Sequence, residues 1–294
     1  LDGIAASVTK VTPTEITAIS NGIALSSCAD STGPVVVTNV DNGDAATSPT
    51  PWIYRVLKPV IVGVGSTNPT LGGNATVTVA NAIGAPRITV GDQTAAITGT
   101  VDNGNGTTTF TIQVPSTLQL STQACPAAPG VTAVQPTAFD VTYTSLTTTC
   151  TDKLAKGLTV VAAGPAVAVS PATGFTSFSA TAPIPPTVTP PTAGTPFKPA
   201  PPQQENVTNA GSGTLIVQAV NLNGPGCGSF TVQPTSLTQP TAFPSNLATC
   251  DVFPIVAQFT PAAANQVSGF TAQCTVVVTT NAGSRNLSLS GTVQ

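Results

Sequence analysis

The chain has 294 residues, with 8 Lys or Arg, 11 Asp or Glu, no His and no Met, for a net charge of −3. Without His, imidazole-based catalytic triads, His-ligated metals and His-ligated haem are excluded. Eight scattered basic residues cannot neutralise a run of phosphates, which argues against nucleic-acid binding, and no apolar run approaches the length needed to span a membrane.

Val, Ala, Ile and Leu make up most of the apolar residues and Thr, Ser, Asn and Gln dominate the polar ones, and β-branched side chains such as Thr and Val fit a pleated surface better than a helix. With 28 Pro and 26 Gly to interrupt helices, the expected class is all-β: tandem Ig-like β-sandwich domains with a Pro-rich extended segment. The length fits about two domains. Absence of Met makes Leu1 the expected product of signal-peptide cleavage, and hence the chain a secreted one.

Residues 1–57 are expected to form an N-terminal β segment. Ile16 to Ile19, Ile23 to Ser27 and Val35 to Val40 are strand-like, and Asn21-Gly22 and Asn42-Gly43 mark turns. About 55 residues is small for an independent core, so pairing with the next domain or strand exchange with a neighbouring molecule is expected.

Residues 58–163 read as one sandwich. Its clearest signal is a hairpin in which Ala96 to Val101 leads through Asp102-Asn103-Gly104-Asn105-Gly106 into Thr107 to Val114. Phe110, Ile112 and Val114 alternate with Thr109, Thr111 and Gln113, a period of two that marks one buried face. Residues 164–294 read as a second sandwich. Its expected strands are Leu215 to Val220, Ser229 to Val232, Val252 to Phe259, Gly269 to Thr279 and Ser284 to Val293. The Pro-rich stretch around 182–202 favours extended polyproline II and is expected to be a linker or long loop, or an arm laid on another subunit.

Six Cys occur, at Cys28, Cys125, Cys150, Cys227, Cys250 and Cys274. An even number without C-x-x-C spacing points to disulfides in an oxidising compartment rather than to zinc. Cys125 and Cys150 flank one Pro-rich loop and one strand-like run, and form the natural pair of the middle domain.

Two resemblances enter here. The strand-turn Val207-Thr208-Asn209-Ala210-Gly211-Ser212-Gly213-Thr214-Leu215, the turn Phe259-Thr260-Pro261-Ala262-Ala263-Ala264 and the strand Ser288-Leu289-Ser290-Gly291-Thr292 resemble Hydin-type (choice-of-anchor) Ig-like domains. Lys58-Pro59-Val60-Ile61, the run from Leu71 to Val79 and Ile88-Thr89-Val90-Gly91 are similar to IPT/TIG-type Ig-like domains. Both resemblances imply secreted or cell-surface architecture and no particular ligand. The first implies an opening strand near Ala166 to Pro171, with the Pro-rich stretch as an insertion that departs from the family pattern. It also implies a Cys227–Cys250 pair, which leaves Cys28 with Cys274, within one chain or between two. Cys250–Cys274 is the alternative, and six Cys allow fifteen connectivities.

No catalytic constellation stands out: the acids show no pairing at fixed spacing, and no enzyme activity, cofactor or metal is expected. Asp41-Asn42-Gly43-Asp44 and Asp102-Asn103-Gly104-Asn105 read as ordinary turns, with calcium loops as the sharper alternative. Trp52 and Tyr54 read as packing residues, with an aromatic sugar platform as the alternative. Asn74, Asn105, Asn206 and Asn286 head N-x-Ser/Thr sequons.

The leading expectation is a structural subunit of an extracellular microbial filament, sheath or surface layer, with other copies of itself as partners through sandwich contacts and strand addition. A monomeric adhesin or glycan-binding surface module, and a virion decoration or fibre protein, are the alternatives.

Overall fold

A computed structural model describes the chain except residues 2, 23–26, 67, 184–186, 189, 190, 193–195 and 237. The fold is all-β. It divides into two compact units, Leu1–Leu118 with Ala138–Thr159, and Gln119–Thr137 with Val160–Gln294.

The first unit opens with short strands. β1 (Ser7–Val11) pairs with β2 (Ile16–Ile19); among β3 (Ser31–Gly33), β4 (Val36–Thr38), β5 (Ala45–Thr47) and β6 (Trp52–Tyr54), β3 pairs with β6 and β4 with β5. The strand-like run expected from Ile23 lies largely outside the described residues. These two-stranded sheets bury almost nothing: in β1, β2, β4 and β5 every residue is exposed. Such hairpins are marginal in water by themselves.

The sandwich of this unit uses β7 (Val60–Gly65), β8 (Asn74–Ala80), β9 (Pro86–Val90), β10 (Gln93–Asp102) and β11 (Thr107–Gln113). After the excursion β12 (Thr122–Ala124) and β13 (Thr132–Val134), it is completed by β14 (Thr137–Ser145) and β15 (Thr151–Val160). Seven strands run in the order β15-β14-β9-β10-β11-β8-β7. β10 serves two neighbours: Gln93–Ala95 pairs with β9, and Ala96 onward with β11 after a bulge between Ile97 and Gly99. A bulge bends its strand. The two outer strands approach each other, because the Ile61 N–H on β7 donates to Asp152 Oδ2 on β15 at 2.7 Å. The alternation anticipated in the hairpin is present: Phe110, Ile112 and Val114 are buried, with Val77, Val79, Ile88 and Val141. Tyr143 is buried too, and its hydroxyl accepts from Ile83 N–H (3.0 Å) and donates to Ile83 C=O (3.1 Å).

The second unit is a sandwich of two sheets. β16 (Val167–Ser170) and β17 (Phe178–Ala180) precede the short pair β18 (Thr187–Val188) and β19 (Pro191–Thr192). β20 (Gln203–Asn209), β21 (Leu215–Asn223), β22 (Phe230–Gln233), β23 (Ser245–Leu247), β24 (Val252–Phe259), β25 (Thr271–Thr280) and β26 (Gly283–Val293) follow. One sheet has the order β16-β20-β24-β22 and the other β17-β26-β25-β21-β23. Val207, Phe253, Ile255 and Phe259 of the first share one core with Leu215, Val217, Val276, Val278, Leu287 and Leu289 of the second. Phe178, Phe230 and Phe259 form a chain of rings with centroids 5.9 and 5.2 Å apart, and each such pair contributes about 0.5–1.5 kcal/mol beyond area burial.

Residues 1–57 fall in one unit with the first sandwich, and residues 119–137, read from sequence as part of 58–163, fall in the second unit. Packing explains the latter: Cys125, Ala128, Val131 and Ala133 bury themselves together, with Ala168, Ala210 and Val252 against them, and Val134 N–H donates to Ala210 C=O. The Pro-rich stretch lies within one unit, so it is an insertion in the second sandwich and not a linker between domains. Its base is closed by paired backbone bonds between Thr181 and Lys198, and Phe197 and Ala200 pack on the core. Much of its interior lies outside the described residues.

Candidate binding surface

One exposed apolar feature belongs to the N-terminal segment. Ile4, Val8, Val11, Ile16, Val37 and Trp52 line a groove of about 800 Å³. Val8 and Val11 are 58% and 68% exposed, and Val40, which also lines the groove, is exposed too. Scattered surface Val or Ile is ordinary, whereas a contiguous set is the mark of an interaction face. Sequence reasoning identified β2 and placed β4 within Val35 to Val40, but not the groove, because hydrophobic runs of three to five residues do not show which face they present. Among the described residues β1, β2, β4 and β5 each pair with a single neighbour, and an open strand edge offers backbone N–H and C=O groups, so polar and apolar recognition coincide there.

The cysteines form three disulfides whose partners differ from those expected. Cys28 bonds Cys150, Cys125 bonds Cys250 and Cys227 bonds Cys274. The Cys125–Cys150 pair is replaced because residues 119–137 leave the first sandwich and pack beside Cys250, while Cys150 follows β14 in the first unit. Cys227–Cys250, implied by the Hydin-type resemblance, does not form. Cys227 lies in the turn before β22 against β25, which carries Cys274 with its Cα 4.8 Å away. Cys28–Cys274 and the alternative Cys250–Cys274 are likewise absent, and each bridge closes within one chain and one unit.

Trp52 and Tyr54 share one face of β6, with centroids 6.0 Å apart and planes at 73°. Rings at that angle cannot both lie flat on one sugar. In the turn loops the side-chain oxygens serve the loop itself. Asn39 Oδ1 accepts from Asp41 N–H, Asn42 Oδ1 from Asp44 N–H, and Asp102 Oδ1 from Gly104 N–H. Among the described residues no group of three or more His, Cys, Asp or Glu is placed to hold a metal.

The sequons differ in geometry. Asn74 lies in β8 opposite Gln113, and Asn286 in β26 opposite Val277. Asn206 is in β20, its Nδ2 donating to Ala127 C=O. Asn105 alone occupies a hairpin tip.

Glu205 is a residue that sequence reasoning passed over. It is buried in β20, its Oε2 has no hydrogen-bond partner among the described residues, and burial pushes its carboxyl up to about 7. The signal was available: Glu205 shares strand parity with Val207 and Asn209, which face inward.

No protein-family model matches the chain, and no curated protein does. Solved structures with partial similarity include a protein of unknown function from Porphyromonas gingivalis at 8% identity, over 80% of this chain and 96% of that one, with a TM-score of 0.27. The Yersinia pseudotuberculosis adhesin InvE has 9% identity over 80% of this chain and 58% of its own, with a TM-score of 0.25. The Bacteroides ovatus mixed-linkage glucan utilization protein SGBP-B, solved with a mixed-linkage heptasaccharide, has 9% identity over 97% of this chain and 57% of its own, at 0.25. At these scores the similarities carry nothing about function.

Proposed function

We propose that this chain is a disulfide-braced, non-catalytic protein of an extracellular surface that binds another protein as a monomeric adhesin does, through the apolar groove of its N-terminal segment. The groove carries the reading. Fully burying each Val or Ile side chain contributes about 1.5–3 kcal/mol, and the unpaired strand edges beside it offer backbone hydrogen bonds to an extended segment. The aliphatic lining suits an apolar polypeptide better than a sugar, whose hydroxyls need polar partners. Three disulfides support an oxidising, extracellular setting. The second sandwich builds its core from its own strands, which supports a monomer.

Beads coated with the wild-type chain should adhere to intact cells, and beads coated with a Val8→Asp/Ile16→Asp/Val37→Asp variant should adhere about tenfold less. Equal adhesion would remove the groove from the account.

A second reading, a self-assembling structural subunit, draws on two observations. With so few charges, copies of the chain repel each other weakly, and exposed hairpin edges are templates for pairing. Under that reading, filaments or sheets form at high concentration and the same triple variant abolishes them.

A further inference from the structure

We infer that Asn105, at the tip of the β10–β11 hairpin, is an N-glycosylation acceptor, and that the other three sequons are not. The co-substrate is an oligosaccharide carried on a lipid pyrophosphate, supplied with its transferase by the secreting cell. In the step, Asn105 Nδ2 attacks the anomeric carbon of the sugar. The bond from that carbon to the pyrophosphate oxygen breaks, the lipid pyrophosphate leaves with the electron pair, and one Nδ2 proton passes to a base of the transferase. The product is an N-glycosidic amide.

The geometry separates Asn105 from the rest. A sequon is recognised through the Asn carboxamide and the hydroxyl two residues on. At Asn105 these groups already meet: Thr107 Oγ1 donates to Asn105 Oδ1 at 2.7 Å, and Thr107 N–H donates to the same oxygen at 3.1 Å. Both donors hold the carboxamide by its oxygen. Nδ2 makes no hydrogen bond among the described residues, on a side chain exposed to solvent. Gly104 and Gly106 flank it with φ of 71° and 80°, a backbone region open to Gly at little cost, which turns the chain tightly enough for residue 107 to reach back.

The other three sequons lie in strands, where Cα atoms two residues apart stand about 6.5–7 Å from each other and the hydroxyl is not folded back by a tight turn. Asn74 and Asn286 sit in ladders of that kind, and Thr76 Oγ1 donates to Gly65 C=O instead. Asn206 has both amide ends engaged, Oδ1 by Gln204 and Nδ2 by Ala127. A hairpin tip also stays reachable after folding, whereas a paired strand does not.

The test is glycopeptide mass spectrometry on the full-length chain purified from the cells that secrete it. It is repeated on Thr107→Ala and Thr107→Ser variants whose fold is checked by circular dichroism. The expected result is a glycan on Asn105 alone, lost in Thr107→Ala and kept in Thr107→Ser. A bare Asn105, or glycans on Asn74 or Asn286 at equal occupancy, would overturn the inference. Neither readout depends on the N-terminal groove.

Discussion

Cys28 and Cys150 stand 4.9 Å apart at Cα and are joined across 122 residues of sequence, so the groove-bearing segment is covalently fixed to the first sandwich. The segment has little core of its own, and the bridge limits how far it can stray when its hairpins open. Chain entropy gives a loop of that length about 5 kcal/mol of stabilisation. Replacing both residues, Cys28→Ser/Cys150→Ser, should lower the denaturation midpoint of the first unit and leave the second unit's transition in place. It should also expose residues before Cys28 to rapid proteolysis. An unchanged cleavage rate would show that the hairpins are held by something other than the bridge.

Asn209 is the best-connected buried polar side chain of the second unit. Its Nδ2 donates to Gly213 and Leu247 carbonyls at 2.7 and 3.1 Å, and its Oδ1 accepts from Gly211 N–H at 3.0 Å and Ala166 N–H at 3.4 Å. Asn209→Ala would leave those backbone groups without partners, at about 2–4 kcal/mol in total. Urea unfolding should show the loss, with little change in secondary structure below the transition.

Gly291 on β26 passes directly under the Phe259 ring: a Cβ there would meet Phe259 Cδ2 at 2.5 Å. The ring cannot withdraw, since it is buried against Phe230. Gly291→Ala should therefore destabilise the second unit by about 1–3 kcal/mol, the usual range for overpacking. A Gly291→Ala/Phe259→Leu double variant should lose less than the sum of the single changes.

Glu205 makes stability depend on pH. Its folded pKa of about 7 lies above the ordinary 4.5, and burial is the cause. Between those values the unfolded carboxyl is ionised while the folded one keeps its proton, so the native state binds more protons and stability falls as pH rises. The fall should run from about pH 4.5 to about pH 7 and then level off, with a total of about 3 kcal/mol or less. Glu205→Gln keeps the shape and should flatten this profile. Stability that still falls over that window in the variant would assign the effect to another group.

Several of these elements were legible in the sequence because one local rule governed them. The alternation of Phe110, Ile112 and Val114 reported a buried face directly, and the run from Val252 to Phe259 is the strand β24 residue for residue. The disulfide partners were hidden by a non-local event: residues 119–137 pack with the second unit, which no period or spacing around Cys125 records. The groove was hidden for a different reason. Its lining comes from the start of the chain, β1, β2, β4 and β6, each too short for alternation to distinguish inside from outside. Glu205 was missed because it stands in a polar run, Gln203-Gln204-Glu205-Asn206, that reads as surface unless counted back from Val207.

The central claim is that the N-terminal apolar groove is where this protein binds. The most direct measurement compares adhesion to intact cells of beads carrying the wild-type chain with that of beads carrying Val8→Asp/Ile16→Asp/Val37→Asp. Light scattering and negative-stain microscopy of both proteins run alongside. The account expects monomeric wild-type protein, an intact fold in both, and about tenfold weaker adhesion by the variant. Adhesion unchanged by three carboxylates in the groove, with both proteins folded and monomeric, would contradict it.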